Sequence, residues 1–179
     1  MIKGGIILPF DGKYPTIGEN ACIAPTATII GDVTIGANTN IWFNVVIRGD
    51  ISPIVIGENV NIQDNCVIHT MQGKPLTIGE NVQIGHGTMI HSDSIGSNTL
   101  IGMGSNLLGH TQIGENCIIG AGTIITQHKK IPPNCLVYGN PAKLVRSIRD
   151  DEMQAMAGSL ERHIELAKKY RDQFEDYKL

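Results

Sequence analysis

The 179-residue chain lacks any uninterrupted run of about 18 apolar residues, the length a membrane-crossing helix needs, so no helical span is expected. It also lacks a surplus of basic charge. The 14 Lys and Arg stand against 17 Asp and Glu, a formal charge of −3 with a pI near 6.0, which leaves no electrostatic footprint for nucleic acid. None of its four cysteines (Cys22, Cys66, Cys117 and Cys135) forms a C-x-x-C pair, which argues against a zinc knuckle or a dithiol redox motif. The opening residues MIKGGIILPF have neither the length nor the cleavage pattern of a signal peptide. The expectation is a soluble, cytoplasmic protein with one core and no need of disulfide staples, partnered by neither nucleic acid nor membrane.

The two common periodicities are missing as well. Aliphatic residues recur instead every six positions, from Ile17 to Ile47, Ile56 to Ile68, Ile78 to Ile90 and Ile95 to Ile131, with Leu107 the one member that is not Ile. A period of six fits neither the 3.6 of a helix nor the alternation of a strand. Each hexad must hold a short strand and a corner, and three such strands make one triangular coil. Stacked coils bury the aliphatic column and pair each backbone segment with the coils above and below. The fifth place of the hexad is small or β-branched, as at Ala21, Val33, Thr39, Val60, Val82 and Thr88, which suits a second inward position. Cys66, Cys117 and Cys135 share that register and read as packed core thiols.

The stretch IGHGTMIH (84–91) places His86 and His91 five apart. A helix would separate such side chains by about 140°, and a strand would send them to opposite faces. The pair also departs from the H-E-x-x-H metalloprotease pattern. Register offers another arrangement. The interruptions RGDISPIV (48–55) and HTMQGKPLT (69–77) each lengthen one edge, and both are expected as protruding corner loops. Hexads beginning at 47, 68 and 90 then share one face of three successive coils. Arg48, His69 and His91, each second in its hexad, form an outward column spaced by about 4.8 Å per coil. His86 belongs to the preceding face, above Gln63 and Asp64. One chain should not close a site from two faces of a prism, whereas a threefold head-to-tail ring brings such faces of neighbours together. Three imidazoles with an open fourth position are the ligand set of a hydrolytic zinc site.

The segments IWFNVVIRGD (41–50), NIQDNCVIH (61–69) and IGHGTMIH (84–91), in that order on a hexapeptide solenoid, resemble the γ-class carbonic anhydrases. The likeness continues through IGMGS (101–105) and VYGNPAKLVR (137–146). It implies an all-β solenoid, a left-handed parallel β-helix of hexapeptide repeats. That domain, with a short lead-in, spans residues 1–146, and a C-terminal amphipathic α-helix over 147–179 packs on it. The resemblance further implies a homotrimer with metal sites between subunits and His69, His86 and His91 as ligands. Zinc is the expected ion, with Fe2+ or Co2+ as alternatives. Arg48 and Asp50 would pair at the subunit boundary, Gln63 would orient the metal-bound water, and Asp64 would support the site or the interface. The implied activity is the reversible hydration of CO2 to bicarbonate, for which zinc lowers the pKa of its water towards about 7.

The chain departs from the family at the proton exit. Gln72 and Ile51 stand where the best-known members carry glutamates, and neither accepts a proton near neutral pH. Slow turnover, or reliance on buffer, follows. Asp93, His110 and His128 form a neighbouring column, read first as solvated surface and second as a shuttle. Leu108 beside His91 offers an apolar wall for CO2, and Trp42 and Phe43 are either interface packing or ordinary core. From about Asp150, Met153, Met156, Leu160, Ile164, Ala167 and Phe174 follow helical spacing, with an N-cap expected at Ser147 or Asp150. Two other functions stay open. Many hexapeptide solenoids are acyltransferases with one histidine as general base, and a metal-binding relative with weak or no CO2 hydration would serve thioester hydrolysis or a structural role.

Overall fold

The computed structural model describes residues 5–174, with side chains as far as Gln173. The hexads become the coils of a left-handed parallel β-solenoid of about seven turns, followed by one C-terminal helix. Within each short strand one residue points inward and its neighbours point out. The inward column stacks like on like: Ile47 on Ile68, Ile68 on Ile90, Ile90 on Leu107 and Leu107 on Ile125. All five are fully buried. Burying one such side chain contributes about 1.5–3 kcal/mol, and its repetition in every coil makes a single continuous core. Cys66, Cys117 and Cys135 lie in that core as free thiols, and burial pushes the Cys66 thiol up to about 11.

The prism has three faces. The first carries Val67–His69, Met89–Ile90, Asn106–Leu107 and Ile124–Ile125; the second carries Leu76–Ile78, Ser94–Ile95, Gln112–Ile113 and Lys130–Ile131. The third runs from Cys22–Ile23 through Asn40–Ile41, Asn61–Ile62 and Gln83–Ile84 to Cys135–Tyr138. The strand Val46–Ile56 begins on the first face and ends on the second. That continuity corrects the expectation for RGDISPIV, which does not leave the sheet. Its neighbour Thr28–Ile35 pairs Gly31 with Gly49 and Val33 with Ile54, so Asp32 alone lies opposite Asp50, Ile51, Ser52 and Pro53. The extra residues are absorbed as a bulge at the corner, where the buried Ser52 hydroxyl donates to the Met71 carbonyl at 2.8 Å. The second interruption does protrude, as a hairpin in which Met71 and Lys74 bridge around Gln72 and Gly73.

Between the second and third faces the chain turns on left-handed asparagines. Asn59, Asn81, Asn98, Asn116 and Asn134 have φ of 54–60°, which asparagine tolerates better than most residues. Their side-chain amides join in a ladder of hydrogen bonds 3.0–3.3 Å long. The glycine two places before Asn59 answers to close approach: a Cβ at Gly57 would stand 2.8 Å from the Gly79 carbonyl carbon.

The helix α1 (Asp150–Phe174) runs back from the last coil along the third face. Gln83 Nε2 donates to the Met156 carbonyl at 2.8 Å, Leu160 and Ala167 are buried, and Tyr170 meets Trp42 edge-on with centroids 5.3 Å apart. Trp42 is therefore packed within its own chain, between solenoid and helix, with Phe43 against it. The start of α1 corrects the expected cap at Ser147 or Asp150. Arg149 occupies the cap, and Glu152 reaches back to its N–H at 2.9 Å while accepting two bonds of 2.8 Å from Arg146. This pairing draws the Glu152 carboxyl down to about 2. The Phe174 side chain lies outside the described residues. No described helix is long and apolar enough to cross a membrane.

Candidate metal centre

On the first face, Arg48 pairs with His69, and Ile68 with Ile90, so Arg48, His69 and His91 form one outward column. The His69 and His91 rings lie 5.5 Å apart, tilted by 31°. Asp50, the first residue of the bulge, joins this column through its carboxylate. Its Oδ2 accepts from Arg48 Nη1, and its Oδ1 accepts from His69 Nε2 at 3.0 Å. A carboxylate can only accept here, so His69 carries a proton on Nε2, and Nδ1 is the nitrogen left to offer a lone pair to an ion. Burial opposes the Asp50 charge, but the bonds from Arg48 and His69 outweigh it and hold the carboxyl below its ordinary pKa.

His86 stands elsewhere. It follows Gln83–Ile84 of the third face and, with Gly87 (φ +66°), makes the corner leading to the first. Its Nδ1 donates to Asp64 Oδ2 at 2.9 Å, which leaves the lone pair on Nε2, while Asp64 Oδ1 accepts the Phe43 N–H at 3.1 Å. Gln63 Oε1 accepts the His86 N–H at 3.2 Å, and Gln63 Nε2 meets His163 Nε2 at 3.1 Å. The amide expected to orient a water thus engages the His86 backbone and the helix. A cavity of about 240 Å³ opens beside this corner, with Gln63, Asp64, His86, His163, Leu166 and Tyr170 in its walls. His163 escaped the sequence reading, although its place between Leu160 and Ala167 put it on the packed side of α1.

The two half-sites do not meet within one chain: among the described residues no three His, Cys, Asp or Glu side chains gather to hold an ion. The donor set nevertheless suits one, with three imidazoles of which two are oriented by a carboxylate. Beside the first-face column runs an apolar strip, Val46, Val67 and Met89 in register, with Val67 39% and Met89 46% exposed. The other column also forms. His110 and His128 stack at 4.8 Å and 11°, and Asp93 Oδ1 lies 3.9 Å from His110 Nδ1, too far for a hydrogen bond. Gln72 and Ile51 are exposed, and Leu108 is half-buried.

A left-handed hexapeptide solenoid with imidazoles distributed over two faces defines a class, and comparison with known proteins narrows it. Residues 14–49 and 94–127 match the family of bacterial transferase hexapeptide repeats. The chain is 46% identical over 166 residues to a carbonic anhydrase of Geobacillus kaustophilus, covering 93% of this chain and 91% of that one. It is 36% identical over 161 residues to the mitochondrial gamma carbonic anhydrase 2 of Arabidopsis thaliana, covering 87% of this chain and 58% of that protein. A solved Bacillus cereus structure, named as a candidate acetyltransferase, superposes with a TM-score of 0.92 at 41% identity over 96% of this chain and 99% of that one. The chain belongs to the γ-carbonic anhydrase family of hexapeptide-repeat proteins.

Proposed function

We propose that the protein is a zinc-dependent γ-class carbonic anhydrase, a homotrimer that interconverts CO2 and bicarbonate at sites shared by neighbouring subunits. The observation that carries this reading is the division of the donor set. His69 and His91 stand side by side on one face, His86 stands on another corner, and neither half can hold an ion alone. A threefold ring that sets the first face of one subunit against the His86 corner of the next completes the three imidazoles and covers the Val67 and Met89 strip. The names of the relatives from Geobacillus kaustophilus and Arabidopsis thaliana support the activity.

In this reading His69, His86 and His91 hold the ion, and Asp50 and Asp64 fix which ring nitrogen each of two histidines presents. Zinc held by these three imidazoles would supply water of lowered pKa, a source of hydroxide near neutral pH. Arg48, held by Asp50, keeps a cation beside the column and favours the bicarbonate anion over neutral CO2. Leu108 gives uncharged CO2 an apolar neighbour next to His91. Ile51 in the bulge and Gln72 at the hairpin tip have no basic atom, and the Asp50 carboxylate is committed to Arg48 and His69, so the departing proton is expected to pass to buffer.

Stopped-flow CO2 hydration of the metal-loaded protein across imidazole concentrations, with His91→Ala as blank, tests the proposal. A rate that rises with imidazole and disappears in the variant is expected. No rate above the blank at one metal per subunit would refute it and favour metal-dependent thioester hydrolysis. Acyl transfer, the activity in the name of the Bacillus cereus neighbour, would show as turnover of acyl-CoA indifferent to metal removal.

A further inference from the structure

Most backbone N–H groups of a coil go to carbonyls of the coil beside it, but some, as at Phe43, Asn44 and the His86 corner, go to side chains. Gly85 N–H donates to the Ile101 carbonyl and Gly87 N–H to the Asp64 carbonyl, while the His86 carbonyl accepts from Gly104 N–H. The His86 N–H between them goes to a side chain, Gln63 Oε1. That N–H can only donate, so it takes the Oε1 end of the Gln63 amide and leaves the NH2 to a neighbour that must accept. That neighbour is His163 of α1. The Ser159 carbonyl lies 2.8 Å from His163 Nδ1 and can only accept, so the proton of the neutral ring is on Nδ1 and Nε2 is a bare acceptor. Only the Gln63 NH2 can satisfy that acceptor at 3.1 Å, which turns Oε1 towards the His86 N–H.

We infer that His163 is a positioning residue for the metal site: through the Gln63 amide, the C-terminal helix sets the backbone of the corner that carries His86. The chain Ser159 carbonyl, His163, Gln63, His86 N–H has one self-consistent polarity, and reversing any member breaks a neighbour's bond. The helix is fixed well enough to act this way, since Gln83 grips the Met156 carbonyl on one side of His163 and Tyr170 packs on Trp42 on the other. The Asp64 grip on the His86 ring and the Gln63 grip on its N–H act on the same residue from one coil below. This inference rests on His86 being a ligand only for its consequence; the relay itself is a property of the metal-free chain.

The test is NMR on the full-length protein, with and without zinc. Long-range 15N correlation on the wild type should show the His163 ring proton on Nδ1 and a bare Nε2, and a proton on Nε2 overturns the inference without any mutation. His163→Phe keeps a ring of similar size but removes the acceptor, and should speed exchange of the His86 amide about 2- to 10-fold, the loss expected for one hydrogen bond. Gln63→Leu should do the same, and the double variant should add nothing further. Unchanged His86 exchange in His163→Phe, or additive effects in the pair, reduces His163 to helix packing and sinks the relay. Wild type that binds no zinc, yet shows the tautomer and the non-additive exchange, refutes the proposed function and upholds the relay.

Discussion

Replacing Asp50 by Asn separates two readings of the first-face column, a metal-ligand support and a plain ion pair. The carboxylate serves Arg48 with one oxygen and the His69 Nε2–H with the other at 3.0 Å. Asparagine has one acceptor for these two donors. If its oxygen stays with Arg48, its NH2 faces His69 and demands a bare Nε2, which moves the ring proton to Nδ1, the nitrogen otherwise left for an ion. If the oxygen turns to His69, the NH2 faces the guanidinium and the anionic partner of Arg48 is gone. Either way the imidazole loses the carboxylate that orients it, and such supports are worth about 10- to 100-fold in metal affinity, or about 1.4–2.8 kcal/mol. Folding should hardly notice, because Arg48 is 43% exposed and a pair of that kind contributes under about 1 kcal/mol. That corresponds to a fall in Tm of about 2–4 °C at this chain length. Competition with a chromophoric zinc chelator measures the affinity, and a thermal melt of the metal-free protein measures the fold. Zinc affinity within twofold of wild type in a normally folded Asp50→Asn protein would refute the reasoning and leave Asp50 as a surface partner of Arg48.

Subunits carrying His86→Ala and subunits carrying His91→Ala should each fail to hold zinc alone. Dissociated and reassembled together, they should regain it at about a quarter of the sites, because a His86→Ala chain still offers an intact first face to the corner of a His91→Ala chain; sites built within one chain would regain none. The Glu152 carboxyl, held at about 2 by the Arg146 guanidinium and the Arg149 N–H, stabilises the start of α1 fully above its ordinary 4.5 and loses that contribution as pH falls towards 2. Helical circular dichroism should decline over that interval in wild type and lack that component in Glu152→Gln. With its thiol pushed up to about 11 and no exposure, Cys66 should resist iodoacetamide at mildly alkaline pH until the solenoid is unfolded, as read by mass spectrometry.

The solenoid was legible because its information is redundant. Every coil repeats the same demand, an aliphatic residue facing in and a small one at the corner, so one period read over many hexads outweighs any single ambiguous residue. The register that aligned Arg48, His69 and His91 follows from that repetition and matches the strand pairing. Local chemistry was less legible. RGDISPIV looks like a loop because proline and glycine usually end strands, yet the long strand beside it carries the chain around the corner and spreads the surplus as a bulge. The cap of α1 was misplaced because the usual signal is a short polar cap residue, and here the work falls to Glu152 three places on, doubly held from Arg146.

The site divides along the same line. Its histidines could be placed from register alone, since each occupies a fixed slot in a coil. Their partners could not, because the bonds that fix each ring run between coils and between solenoid and helix: Asp50 to His69 across 19 residues, Asp64 to His86 across 22 and Gln63 to His163 across 100. The last of these is invisible to any repeat, since α1 obeys a different period from the strands it covers. A helix that only shielded the third face could do so with apolar residues alone. Placing a histidine there, hydrogen-bonded on both ring nitrogens and one amide away from the His86 backbone, ties the C-terminal helix to the corner where the proposed chemistry needs a ligand held still.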